Sequence, residues 1–222
     1  MFNFNQDTLK KLQCVSKKYQ ITPFILSQII FVTLLHRYTS QERFGVSFPF
    51  AINEGVKFIY GAHVNPVVIP YQFGSSTCLK DLIGETKNYL NSVKEGSHHY
   101  FPIQKLFMDF LSQDTASVSF TQTNLKNQRF DFLNVADEEV NTSLNIDLPG
   151  KLLFAQEIKE QQISYRVLYE KEDIDTSLLL IFIQTYQRLL HETLADLLNG
   201  QDQRPISHFS LLTEEQKNFL TV

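Results

Sequence analysis

Apolar residues recur along the chain in two different rhythms. Leu9, Leu12, Val15 and Tyr19 follow one another at three- and four-residue spacing, which predicts an amphipathic helix near the N-terminus. "ITPF" then starts a second helix, with Thr22 as its N-cap and Pro23 at its first position, and that helix carries the apolar run Phe24 to Leu35 into the core. In "FGVSFPF" the rhythm shortens to two: Phe44, Val46, Phe48 and Phe50 fall on one face of a strand, and Pro49 is expected to leave its end unpaired. "NPVVIPY" is a short apolar run bounded by prolines and is also strand-like. Leu79, Leu82, Ile83, Thr86, Leu90 and Val93 mark a third helix, with Ser76 or Thr77 as N-cap and Gly96 at its C-terminal cap.

After Gly96 comes "SHHYFPIQKL", in which Pro102 begins a short helix that turns Ile103, Leu106, Phe107 and Phe110 to the core. "SVSFTQTNL" alternates Val118, Phe120 and Gln122 with Ser119, Thr121 and Thr123, so one of its faces is rich in hydroxyls. "TSLNIDL" and "QISYRVLYE" show the same period of two. Asp175 caps a long helix over 176–198, with Leu178, Phe182, Leu189 and Leu197 among its buried positions, and "NG" at 199–200 ends it. "LLTEEQKNFL" closes the chain as a short amphipathic segment. The order of elements predicts an α/β fold, an α+β sandwich in which helices cover a mixed sheet.

Composition narrows what such a fold does. At 222 residues, with 43% hydrophobic and 20% charged residues, the chain buries a normal core and is neither disordered nor fibrous. The net charge of −4, with Lys and Arg dispersed, offers no footprint for nucleic acid. Phe24 to Leu35 is interrupted by Ser27, Gln28 and Thr33 and is too short to span a bilayer, so no membrane is expected and the chain is placed in the cytoplasm. Cys14 and Cys78 lack metal-ligand spacing and are expected to be buried free thiols.

Chemistry-bearing motifs are sparse. The sequence has no Gly-x-Ser-x-Gly elbow, no glycine-rich phosphate loop and no His-Glu-x-x-His. His98 and His99 stand side by side in a turn. Adjacent residues rarely aim at one ion, and Asp109 is a poor third ligand, so no metal site is expected there. Asn65 has the character of a turn residue that uses its side chain locally. The stripe Ser119, Thr121, Thr123 fits either the solvent face of an edge strand or the wall of a substrate channel.

The succession of weak motifs resembles the C-terminal lobe of a nonribosomal peptide synthetase condensation domain, within the chloramphenicol acetyltransferase-like acyltransferases. "YGAHVNPVVIPY" is similar to the family's Ile-Gly-x-Phe-Val-Asn-Thr-x-x-x-Arg at Gly61, Val64 and Asn65, and departs from it at His63, Pro66 and Pro70. "HHYFPIQKL" is similar to His-Gln-Asp-Tyr-Pro-Phe-Glu-x-Leu at His98, Pro102 and Leu106. "ISYRVLYEKEDIDTSLL" looks like the strand-then-Asp segment before the family's last helix. "RPISHFSLLTEEQKNFL" looks like the linker into an adenylation domain, which puts the lobe at 1–208 and the linker segment at 209–222.

The resemblance implies a division of labour. The family's His-His-x-x-x-Asp-Gly belongs to the other, N-terminal lobe, and "HHYFPIQ" lacks its Asp and Gly, so no catalytic residue is expected here and the chain alone should be inactive. The implied partners are that N-terminal lobe, donor and acceptor carrier proteins, and an adjacent adenylation domain. No cofactor is bound directly; phosphopantetheine arrives on the carriers. Thr121 and Gln122 are the implied tunnel-lining residues, with Asn65 fixing packing or a turn. In heterocyclisation relatives a Thr in this strand acts with an Asp, which would pair Thr121 with Asp147. A stand-alone or degenerate lobe that docks carrier or adenylation domains is the alternative from another class.

Overall fold

Polar residues at the expected places start the helices. The Asn5 side-chain carbonyl accepts the Thr8 amide at 3.0 Å, beginning helix α1, Gln6–Tyr19. Thr22 Oγ1 accepts the Ile25 amide at 3.2 Å, with Pro23 in the first turn of α2, Pro23–Thr39. Asp175 accepts the Ser177 and Leu178 amides at 2.7 and 3.1 Å and begins α4, Thr176–Leu198. The cap of α3, Leu79–Glu95, differs from expectation. It is Cys78 rather than Ser76 or Thr77, because Asp81 reaches back one turn and its carboxylate accepts the Cys78 amide at 3.1 Å and the thiol at 3.0 Å. Thr77 instead accepts the Gly74 amide at 2.8 Å. Cys78 is buried and free as expected, but Cys14 is free and exposed, on the outer side of α1.

The computed structural model describes residues 1–51, 64–95, 118–122, 151–158 and 161–212. Gly96, the expected helix after Pro102, the "TSLNIDL" strand, and His98, His99, Asp109 and Asp147 lie outside the described residues.

Six strands form one mixed sheet: β1, Phe2–Phe4; β2, Arg43–Ala51; β3, Val64–Gln72; β4, Val118–Gln122; β5, Leu152–Ile158; and β6, Ile163–Tyr169. Their order is β1-β6-β5-β4-β2-β3, with β4 parallel to both β2 and β5 and the other pairs antiparallel. The α/β architecture matches the sequence pattern, yet two strands carry no periodic signal. β1 is only three residues long, and β5, "LLFAQEI", runs apolar through its first four.

Pro49 does not leave β2 unpaired. The β2–β3 ladder runs from Arg43 opposite Gln72 to Ala51 opposite Val64, and Pro49 stands opposite Pro66. Antiparallel positions alternate between pairs that exchange hydrogen bonds and pairs that do not, and two prolines can meet only at the second kind. Gly45 opposite Pro70 has the same parity. Pro66 and Pro70 therefore lack only N–H groups that would point out from β3, the end of the described sheet. Between them the Val68 carbonyl accepts the Tyr89 hydroxyl of α3 at 2.7 Å. The edge is blunted against further pairing. Asn65 lies inside this strand, opposite Phe50, and not in a turn.

Alternation sends Phe44, Val46 and Phe48, Val67, Ile69 and Tyr71, Phe120, Phe154 and Tyr165 into a core shared with the helices. Helix α2 is buried at every residue from 25 to 34, and Phe31 meets Phe154 at 4.8 Å and Phe120 at 5.3 Å between ring centroids. Among the described residues no single helix is long and apolar enough to cross a membrane. On α4 the buried stripe is Leu179, Phe182, Tyr186, Leu189, Leu190, Leu194 and Leu197. Leu178, expected inside, sits at the stripe's margin in the first turn and is 63% exposed.

One polar cluster lies within this apolar layer. Ser27 Oγ accepts from Gln156 Nε2 at 3.0 Å and from the Tyr165 hydroxyl at 2.9 Å, while the Tyr186 hydroxyl donates to the Ser27 carbonyl at 3.3 Å. Burial pushes the Tyr165 phenol up to about 12. Ser27→Ala is expected to lower unfolding free energy by about 2 kcal/mol, because it removes the acceptor that two buried donors share, and to cost more than Tyr165→Phe, which removes one of those donors. Urea unfolding of the two variants checks the order. A second expectation concerns Asp175. Accepting the Leu178 and then the Ser177 amide holds its carboxyl below the usual carboxylate range. The cap's contribution is thus complete above the unfolded carboxyl's range, near pH ~4, and fades as pH falls through the lower folded value. Melting of Asp175→Ala should fall below that of the parent at neutral pH, with the two curves converging in acid.

Candidate functional site

The sheet has two faces, and the aromatic side chains of one pack against helices α2 and α4. Phe120, Phe154 and Tyr165 point to the helical layer, so Ser119 and Thr121 of β4, Leu153, Ala155 and Glu157 of β5, and Ser164 and Arg166 of β6 lie on the other face. Register orders them into rows. Ser47 stands beside Ser119, and Ser119 beside Leu153. Thr121 stands beside Ala155, which faces Arg166, and carrying the β2–β4 pairing two residues on puts Pro49 level with Thr121.

The expected site residues separate in this frame. Thr121 is half-buried on the face away from the helices, with Ser119 buried two residues before it. Gln122, its neighbour in the strand, points to the helix side and pairs in register with Gln156, which pairs with Tyr165. Asn65 is opposite Phe50, and extending the β2–β4 register by three residues puts Phe50 level with Gln122. Asn65 and Gln122 thus share a row, two strands or about 10 Å apart, while Thr121 occupies the row beside it. Asp147 lies outside the described residues.

Gln156 is the polar residue that sequence patterning missed. It follows four apolar residues in β5, and nothing in "LLFAQEI" announces that its amide reaches across to Ser27 on α2. Its place is the interior of the lobe, where it braces the strand next to Thr121.

The chemistry this face offers is hydrogen bonding. Ser47, Ser119 and Thr121 supply hydroxyls that both donate and accept, beside the small Ala155. Glu157 accepts the Ser164 hydroxyl at 3.4 Å, near the limit for such a bond. The described histidines are elsewhere. His36 stacks on Phe73 at 4.2 Å with its Nδ1 2.8 Å from the Gln41 carbonyl. His191 meets the Phe4 ring edge, and partial burial, with Lys11 nearby, holds its imidazole below the ordinary value. Among the described residues no group of three or more His, Cys, Asp or Glu could hold a metal ion.

No family model matches the sequence, and no curated protein matches it. Solved structures do. The first condensation domain of the calcium-dependent antibiotic synthetase, in complex with substrate analogue 3a, superposes with a TM-score of 0.69 at 11% identity, over 96% of this chain and 46% of that chain. Holo-AB3403, a four-domain nonribosomal peptide synthetase bound to AMP and glycine, gives 0.70 at 15% identity over 97% of this chain and 18% of that one. The starter condensation domain of rhizomide synthetase RzmA gives 0.59 at 12% identity, over 96% and 47%. The chain therefore spans less than half the length of these structures. At such identities the likeness is one of fold, and it is a specific one: this chain has the fold of a condensation-domain lobe.

Proposed function

We propose that the chain is the C-terminal half of a nonribosomal peptide synthetase condensation domain, providing one wall of the substrate tunnel and part of the surface on which carrier proteins dock. The observation that carries this reading is the superposition of 96% of the chain on 46% of a condensation-domain structure. The partners on this reading are an N-terminal lobe holding the catalytic histidine motif, donor and acceptor carrier proteins bearing phosphopantetheine, and an adenylation domain. A four-domain synthetase among the structural neighbours supports that setting.

In the proposed reaction the acceptor aminoacyl amine attacks the donor thioester carbonyl. A C–N bond forms, the C–S bond breaks, and the donor thiol departs with the proton that the amine gives up. Much of the rate comes from holding both thioesters together, since effective molarities for well-oriented intramolecular reactions reach roughly 10⁵ M. Thr121 is the residue of this chain assigned to that positioning, through a hydrogen bond from its hydroxyl to an amide of a pantetheine arm. Gln122 and Asn65, in the next row, shape the wall behind it.

The family departures at Pro66 and Pro70 do not argue for a degenerate lobe. Both occupy ladder positions where a missing N–H costs no bond within the sheet.

Three outcomes test the reading. The chain alone should form no amide bond from donor and acceptor aminoacyl carriers, and joining it to an N-terminal condensation lobe should restore condensation; continued silence of the joined protein counts against the proposal. In the joined protein Thr121→Val should lower kcat/KM about threefold to tenfold with melting unchanged, the scale of one lost hydrogen bond. A product one water lighter than the amide would assign the lobe to heterocyclisation, with Thr121 and Asp147 as the pair to substitute next. Immunoblotting of the source cell adds a size check, since the proposal expects a polypeptide several times larger than 25.8 kDa.

A further inference from the structure

The sheet ends differently on its two sides. Prolines blunt the edge at β3, whereas β1 covers only the first part of β6: Phe2, Asn3 and Phe4 stand opposite Tyr165, Ser164 and Ile163, and among the described residues nothing pairs with the rest of β6 on that side. The Glu170 amide donates to the Lys151 carbonyl, on the β5 side, at 3.1 Å. By alternation the N–H and C=O groups of Tyr169 and Val167 point the other way, toward the line of β1. The sequence there, Val167, Leu168, Tyr169, has neither a proline nor a charge to guard the edge.

The occupied part shows what this edge accepts. Phe2 stacks on Tyr165 at 5.1 Å and meets the Tyr186 ring of α4 at 6.1 Å, while Phe4 meets Tyr165 at 5.8 Å and His191 of α4 at 5.4 Å. β1 thus lies in a groove between the β6 edge and α4, with alternate side chains under the helix. Two residues of strand cover about 7 Å, the rise of roughly five helical residues, and the step from Phe4 to Phe2 moves the contact from His191 to Tyr186. Two further steps lead along α4 past Ile183 and Leu180, which on the helical wheel fall between Tyr186 and His191 and so face the same edge. Ile183, Val167 and Tyr169 are partly buried against the core, and Leu180 is 56% exposed. The Tyr169 hydroxyl lies 2.9 Å from Thr176 Oγ1, which holds the start of α4 over this end of β6. The uncovered half of the groove therefore combines an apolar floor, an apolar helix side and unpaired backbone groups.

We propose that the groove along Val167 to Tyr169 of β6 is a docking site for an extended strand in line with β1 and antiparallel to β6, and that its occupant is the polypeptide joined directly ahead of Met1. Register dictates the chemistry of that occupant. Carried past Phe2, the ladder sets Met1 opposite Arg166, and the first and third residues ahead of Met1 opposite Val167 and Tyr169, on the same face as Phe2 and Phe4. Those two residues are apolar and uncharged, because they lie under Ile183 and Leu180; the residue between them faces away from α4 and is free to be polar. Continuity with the β1–β6 ladder selects the occupant, since the backbone of β1 leads straight into the groove. The choice also rests on the reading of this chain as the second half of a longer polypeptide, and it ties the two halves through main-chain hydrogen bonds of one sheet.

Hydrogen exchange tests it on the full chain carrying Thr-Val-Thr-Val ahead of Met1, beside the parent and a chain carrying Thr-Asp-Thr-Asp in the same place. The Val167 and Tyr169 amides should exchange roughly tenfold slower with the valine extension than in the parent, and at the parent's rate with the aspartate extension. Leu180→Asp, at an exposed position, should remove the added protection of Tyr169 without changing the melting of the unextended chain. In the longer polypeptide from the source cell the two amides should be as slow as with the valine extension. Equal exchange in all three chains overturns the groove and leaves the condensation reading standing, since that reading is judged by amide formation in the joined protein. Concentration-dependent dimerisation of the parent in sedimentation that the valine extension abolishes also overturns the proposal, because the groove would then belong to a second copy.

Discussion

Helix α2 is the member against which the rest of the lobe is assembled. Its residues from 25 to 34 are buried on every side, an arrangement usual for a central helix and unusual for one that lies on a sheet. One side carries Phe31 into the rings of Phe120 and Phe154, and Ser27 into the polar cluster with Gln156 and Tyr165. Tyr186 of α4 contributes to both, donating to the Ser27 carbonyl and packing its ring against Phe154 at 5.2 Å. The apolar contacts reward any close approach of helix and sheet. The hydrogen bonds reward only one, since a shift along the helix axis would break the bonds that the Gln156 amide and the Tyr165 hydroxyl make to Ser27 Oγ in a medium where water cannot replace them. Apolar packing thus supplies the bulk of the attraction, and a single serine selects the alignment.

That alignment sets what the opposite face presents. Strands β4 and β5 are held from behind by the same Phe and Gln side chains, which fix the backbone that carries Thr121 and Ala155. A wall of this kind is rigid because its support lies one residue away along each strand. Substitution of the half-buried Thr121 need not disturb the core on the other face. The same fold can therefore carry different residues on this face, in keeping with fold likeness at 11 to 15% identity.

Much of this was legible in the sequence, and the exceptions share a physical origin. The helices announced themselves through Thr22, Pro23 and Asp175, because capping is a local matter decided within four residues. Strands β2, β3, β4 and β6 were visible through alternation or bounding prolines. β1 was not, since three residues carry no period and Phe2–Phe4 is a strand only by virtue of β6. β5 was hidden because both of its faces are largely covered. The cap at Cys78 was missed because the deciding group, Asp81, belongs to the next turn. The site was less legible than the fold. Alternation separated Thr121 from Gln122 in principle, but which face met the helices depended on Phe24 and Phe31, far away in the chain. Asn65 looked like a turn residue beside a proline, and only the ladder with β2 makes it part of a strand.

The prolines of that ladder do more than end the sheet. Pro49, Pro66 and Pro70 all stand at positions of one parity in the β2–β3 ladder, where neither of these two strands asks the other for an N–H. If β3 paired with β2 one residue out of step during folding, Pro66 and Pro70 would be carried to positions where β2 carbonyls await donors, and the apolar residues between them would be turned to the wrong face. Each mistake reinforces the other. The β2–β3 pair thereby carries its own proofreading, written in the residues least able to form hydrogen bonds.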